Sequence, residues 1–140
     1  MRPAQVIVVD SSALIAILRG EPESLTFAAA IIRAERRVIS AATWFEASMV
    51  WIGRSDDIGQ SQIFDELLTK LGLEVHPLTP DHARIAREAF RRYGKGRGAR
   101  SEGHPKLNFG DCFAYALAKA LDAPLLFKGE DFAGTDVKRA

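Results

Sequence analysis

The chain has almost no cysteine: one residue, Cys112, among 140. A lone thiol excludes an internal disulfide and suits a reducing compartment, so the expectation is a cytoplasmic protein. No His/Cys cluster has the spacing of a zinc site. Long hydrophobic runs are also missing. Val6-Ile7-Val8-Val9 stops at Asp10 and is too short for a signal-peptide core, and Phe27 to Ile32 falls far below the ~20 residues that span a bilayer. No membrane association is expected. There are no repeats, linkers or low-complexity tracts, and no overall charge bias, the net charge being +1. Nothing global in the composition points to nucleic acid.

What remains is ordinary for one globular domain over residues 1–140, with 47% hydrophobic and 26% charged residues. A chain this long hides enough surface to fold without staples. Its charge is unevenly spread. Arg91, Arg92, Lys95, Arg97, Arg100 and Lys106 face a single acid, Glu102, which makes the segment from 91 to 106 about +5 and the remainder −4. One short stretch therefore carries the positive potential.

Apolar periodicity predicts strands alternating with helices. Val6–Val9 is continuously β-branched and reads as a buried strand. Asp10-Ser11-Ser12 caps a helix from Ala13 to Arg19, and Pro22-Glu23 opens another running to about Arg36. A strand is expected over Arg37–Ser40, a helix over Ala42–Ile52, another over Asp56–Leu71, and a strand over Leu73–His76. Thr79-Pro80-Asp81 starts a helix ending near Tyr93, with Pro80 in the first turn. A Gly- and Arg/Lys-rich loop fills 94–105. Asn108 caps a helix to about Leu121, Pro124–Phe127 is a strand, and Val137 begins a last one. Such alternation predicts an α/β fold with a central parallel sheet flanked by helices on both faces.

Four acids stand where this fold would gather them: Asp10, Glu46, Asp111 and Asp131. Asp10 and Asp131 follow strand ends, where open parallel sheets bind ligands. Glu46 has Ala42, Met49 and Val50 at i−4, i+3 and i+4, an apolar stripe in which a surface glutamate is out of place. Asp111 heads a core-facing stripe of Ala114, Tyr115 and Ala118. Each has a bland reading as well: Asp10 as a helix cap, Asp111 as part of a capping box with Asn108, Glu46 as an ion-pair partner, Asp131 as a turn residue. Converging carboxylates repel one another and are costly to desolvate, so together they point to a divalent cation and phosphate-ester hydrolysis.

These residues carry a family likeness. Val8-Val9-Asp10-Ser11-Ser12-Ala13-Leu14, Glu46 in its alanine-flanked helix, the stretch from Leu107 to Ala118 (LNFGDCFAYALA) and Leu125-Leu126-Phe127-Lys128-Gly129-Glu130-Asp131-Phe132 with Thr135-Asp136 occur in order along nearly the whole chain. The pattern resembles the PIN domain, specifically the VapC toxins of bacterial toxin–antitoxin pairs. The resemblance implies a Rossmann-like fold and a metal-dependent endoribonuclease using Mg2+, with Mn2+ as substitute. It implies a VapB-type antitoxin, RNA as substrate, a homodimer, and a heterotetramer or larger assembly with the antitoxin. The family's acids transfer to Asp10, Glu46, Asp111 and Asp131, with none substituted; Glu130 competes with Asp131 for the inward position.

On this reading Asp10 and Asp111 hold the principal ion, Glu46 handles the attacking water, and Asp131 is outer or serves a second ion. Ser12, Asn108 and Thr135 are supporting candidates, with a plain cap as the rival role for Ser12 and Asn108. Lys95, Arg97, Arg100 and Lys106 are candidates for RNA phosphates, or else a solvated loop. His104 reads as structural, and Trp44 and Trp51 as core or dimer contacts. A haloacid-dehalogenase-like phosphatase would need Asp at position 12, which is Ser, and a phospho-receiver would need paired acids after its first strand. The non-enzymatic alternative is a catalytically silent PIN-like module that binds RNA or protein.

Overall fold

In the computed structural model, which describes residues 4–53, 58–97 and 104–140, Val6–Val9 forms strand β1 at the heart of the fold. The elements that follow are α1 (Ser11–Leu18), α2 (Ser24–Arg33), β2 (Arg36–Ser40), α3 (Ala41–Ile52), α4 (Ile58–Leu71), β3 (Glu74–His76), α5 (Pro80–Tyr93), α6 (Phe109–Ala120) and β4 (Leu125–Leu126). The strands make one parallel sheet in the order β3-β2-β1-β4. The chain leaves β1 toward β2 on one side and returns to β4 on the other. The crevice where the order reverses lies beyond the carboxyl ends of β1 and β4, the usual place for a ligand in such sheets.

The period-2 geometry of a strand sorts the core into two layers. Ile7, Val9, Ile39 and Leu126 point to one face and pack under α1 to α4 with Leu14, Ile31 and Phe64. Val8, Val38 and Leu125 point to the other and pack with Ala114, Tyr115 and Leu117 of α6 and Ala86 and Ala89 of α5. Both faces are covered, which is why β1 is apolar without interruption.

Local signals set most boundaries. Ser40 caps α3 by accepting the Ala42 amide at 3.2 Å, and Thr79 caps α5 by accepting the His82 amide at 3.1 Å. The helix expected to reach Arg36 instead ends at Arg33. Glu35 and Arg36 both donate their amides to the Gln5 carbonyl at 3.0 Å, so pairing with the chain entering β1 overrides helical propensity there. The expected start of α4 at Asp56 lies outside the described residues. The last strand is reduced to a single parallel bridge between Leu125 and Arg139. Trp44 packs edge-on to Phe64, and Trp51 donates its indole N–H to the Gln60 carbonyl at 3.0 Å, so both belong to the core.

Arg37 joins two helix ends to the sheet. Its guanidinium donates to the carbonyls of Ala34 (3.1 Å), Leu71 (2.9 Å) and Ile32 (2.7 Å), groups that helix termini otherwise leave unpaired. Arg37→Met keeps much of the apolar stem but strands these carbonyls. It is expected to lower stability by about 2 kcal/mol in urea unfolding; an unchanged midpoint would remove the clamp from the account of the fold.

Candidate active site

Asp10 follows directly on β1 and caps α1 with extended backbone (φ −82°, ψ 158°). Its Oδ2 accepts the Ser12 amide at 3.1 Å and the Ser12 hydroxyl at 2.6 Å. Asp10 is only 1% exposed, yet its Oδ1 has no hydrogen-bond partner. Burial is the main reason its pKa is raised to about 6, with the Glu46 charge adding to it and the Ser12 bonds opposing it. The Ser12 hydroxyl also accepts the Lys128 amide at 2.9 Å, which ties the exit of β1 to the exit of β4. The Lys128 ammonium turns away from the acids to Glu21 and Glu23, at 2.9 Å from each.

Asp111 occupies the third position of α6. Asn108 caps the helix by accepting the Asp111 amide at 2.8 Å, while Asp111 Oδ2 accepts the Asn108 amide at 3.0 Å, a reciprocal capping box. The bland reading of Asp111 is thus true, and so is its place among the acids. It is 7% exposed, and its pKa is raised to about 7, first by burial and then by the charges of Asp10, Asp131 and Glu46. Asp131 sits on the exposed turn after β4 and is among the charges acting most strongly on Asp111, whereas Glu130 is not.

Glu46 reaches the group from α3. The Ser11 hydroxyl donates to its Oε1 at 2.7 Å. The apolar stripe around it does not face the core, as expected from sequence: Met49 is 53% and Val50 46% exposed. Ala42, Phe45, Met49, Phe109 and Phe113 instead line a surface cleft beside Glu46. The stripe correctly marks Glu46 as unusual, but the apolar residues surround a site and not a core.

Among the described residues, no three acidic, imidazole or thiol side chains stand close enough to close on one ion. The donor set still suits a hard divalent cation. All its atoms are oxygens, and Mg2+ takes one or two carboxylates directly and keeps water in its other positions. The partnerless, dehydrated Oδ1 of Asp10 is the kind of atom such an ion would satisfy.

Thr135 braces the rim turn by donating its hydroxyl to the Phe132 carbonyl at 2.8 Å. Asp136 accepts the Tyr115 hydroxyl and pairs with Lys119 at 3.0 Å, fastening the same turn to α6. Lys95, Arg97 and Lys106 are exposed, and Arg100 lies outside the described residues. The basic loop is pinned at its ends, where Lys95 donates to the Leu107 carbonyl at 2.9 Å and Leu107 to the Tyr93 carbonyl at 3.0 Å. Leu107 immediately precedes the Asn108 cap, so the described C-terminal end of this segment leads into the α6 terminus that carries Asp111. Nε2 of His104 is buried without a partner. Next to Asp111, Cys112 donates its thiol to the Asn108 carbonyl at 3.2 Å, and burial raises its pKa to about 11. Two residues at the site, Ser11 and Gly110, were not singled out from sequence. The usable signal was a glycine in the first turn of a helix.

The parallel sheet, its switch point and the acids around it define a class of protein: the PIN-domain family model matches residues 7–138, and the chain belongs to that family. Within it, the chain falls in the VapC ribonuclease branch. It is 43% identical over 135 residues to Ribonuclease VapC28 of Mycobacterium tuberculosis, covering 96% of this chain and 97% of the relative. It is 40% identical over 131 residues to Ribonuclease VapC30 of the same species, covering 94% and 95%. Its fold matches that of M. tuberculosis VapC20, described as a sarcin–ricin loop cleaving toxin, with TM-score 0.71, 14% identity and coverage of 96% and 98%. A toxin–antitoxin complex from Klebsiella pneumoniae matches with TM-score 0.69, 21% identity and coverage of 93% and 92%.

The raised carboxyl pKa values fix a sign. Between pH 4 and 7 the folded, metal-free chain holds protons that the unfolded chain has released, so its stability falls as pH rises through that window. In EDTA, the thermal midpoint should drop from pH 5 to pH 8. Asp111→Asn, which can keep the capping bond, should raise metal-free stability at pH 8 by roughly 1–3 kcal/mol. A flat pH profile would contradict the burial of charge at this site.

Proposed function

We propose that the chain is the toxin of a toxin–antitoxin pair, an endoribonuclease that hydrolyses RNA phosphodiester bonds using Mg2+ or Mn2+ held by Asp10, Asp111, Glu46 and Asp131. The observation that carries this reading is the buried, partnerless oxygen of Asp10, together with a second buried acid, Asp111, in the field of Asp10, Asp131 and Glu46. Carboxylates so placed gain from a cation what they lose by leaving water. When bound, such an ion would lower the pKa of a bound water and offset charge on the phosphoryl oxygens. Asp10 and Asp111 would hold it directly. Glu46, aimed by Ser11, orients the attacking water and takes its proton. Asp131, on the exposed rim, acts from further out or on a second ion. Water attack leaves a 5′-phosphate and a 3′-hydroxyl and needs no 2′-hydroxyl, so the choice of RNA falls to binding.

Lys95, Arg97, Arg100 and Lys106 are assigned to RNA phosphates, since they give the segment its positive charge and Lys106 lies two residues before the Asn108 cap of the helix that carries Asp111. The exposed Phe45, Met49 and Phe109 beside Glu46 suit cover by protein, consistent with a VapB-type antitoxin and a homodimer. Solved relatives in fold include VapBC-1 of nontypeable Haemophilus influenzae and the Klebsiella pneumoniae complex. A cytoplasmic setting is part of the proposal: Cys112 is a free buried thiol, and among the described residues no helix is long and apolar enough to cross a membrane.

RNA cleavage by the purified chain should require Mg2+ or Mn2+ and stop in EDTA. Asp111→Asn should abolish it, a loss of at least about 100-fold, while the circular dichroism spectrum stays native. Cleavage without metal, or an active variant, would instead favour a silent binding module or different chemistry. For the loop, Lys95→Glu with Arg97→Glu should weaken RNA binding and flatten its log–log salt slope by about 1.4, two contacts at ~0.7 each. An unchanged slope would return the loop to solvent.

A further inference from the structure

We propose that Gly110 is a positioning residue: its missing β-carbon is the socket that holds the Glu46 carboxylate in place against the first turn of the helix that carries Asp111. A β-carbon built on Gly110 would overlap the carboxylate carbon and both oxygens of Glu46, lying 2.6 Å from Oε1, the farthest of the three. The backbone at this position does not itself call for glycine. Gly110 is absent from the residues with positive φ and lies in the first turn of α6, where alanine is the better helix former. Gly110 is buried, so no solvent-facing requirement explains it either.

The opposite edge of the same carboxylate is held by Ser11, whose hydroxyl donates to Oε1 at 2.7 Å. Ser11 immediately follows Asp10, and Gly110 immediately precedes Asp111. Glu46 comes from a third element, α3, yet both residues that fix it are covalent neighbours of the aspartates. Its carboxylate is thereby indexed to Asp10 and Asp111 more tightly than its own long side chain would allow. The glutamate is also set against the N-terminal turn of α6, the electropositive end of that helix.

The far end of a glutamate is flexible, so an added methyl would push the carboxylate aside and leave the backbone in place. The cost should therefore fall on the ion site and spare the fold, the reverse of what a merely structural glycine would show. This inference rests on the metal reading above, and the experiment separates the two. Mn2+ binding to the full chain is measured by calorimetry and by the Mn2+-dependent rise in thermal midpoint, for wild type, Gly110→Ala, Glu46→Ala and the double variant, beside kcat and KM on RNA.

In EDTA, Gly110→Ala should melt at or above the wild-type temperature. Its Mn2+ affinity should fall roughly 10- to 100-fold and kcat should drop, with KM for RNA nearly unchanged. In the Glu46→Ala background the same change should have no further effect on Mn2+ affinity. Wild-type Mn2+ affinity and kcat in Gly110→Ala, or a further loss on top of Glu46→Ala, would overturn the role of Gly110 alone. A wild type that binds no Mn2+ overturns the metal reading and this role with it. If Gly110→Ala fails to fold, the double variant decides: recovery of the fold supports the socket, and continued misfolding overturns it.

Discussion

The pairing of β1 with a neighbour on each side is the constraint on which the rest depends. Because β1 is internal, its residues must be apolar on both faces, and its chain must end in a polar residue that starts a helix. Asp10 fills that place. Because β4 lies beside β1 in parallel register, with Val9 opposite Leu126, the turn after β4 reaches the same rim and brings Asp131 with it. One serine hydroxyl fastens the two exits together. The site is a by-product of strand order, finished by a few side-chain bonds.

Each buried acid has a second occupation that makes its burial tolerable. Asp10 caps α1, and Asp111 closes the capping box of α6, so one oxygen of each is bonded to main chain. These bonds oppose the cost of burial but do not cancel it, since both pKa values remain raised. The fold therefore keeps two carboxyls where ionising them costs stability.

Much of this was legible in the sequence. Unbroken β-branched residues in Val6–Val9 mark a strand covered on both faces. The caps Asp10, Thr79 and Asn108 mark helix starts, because a cap is a local bond between residues two or three apart. Asp10, Asp111 and Asp131 stand out by their positions at element ends, and Glu46 by the apolar stripe around it. What could not be read was decided over long sequence distance. Nothing near Arg36 tells that Gln5 will take its amide. The stripe of Ala42, Met49 and Val50 has a helical period whether it faces a core or a cleft, and only the placement of α6 decides. Ser11 meets Glu46 across 35 residues. Gly110 carries no such local meaning, because the space of its missing β-carbon is filled by the carboxylate of another helix.

Cys112 adjoins Asp111 and is the only thiol in the chain. On the buried face of α6, bonded to the Asn108 carbonyl and with a pKa raised to about 11, it is a thiol and not a thiolate at physiological pH. Peroxide and disulfide exchange act on exposed thiolates. The thiol beside Asp111 is therefore a packing group. The exposed sulfur-bearing residue of the cleft is Met49, next to Glu46, which oxidation would turn from apolar to polar.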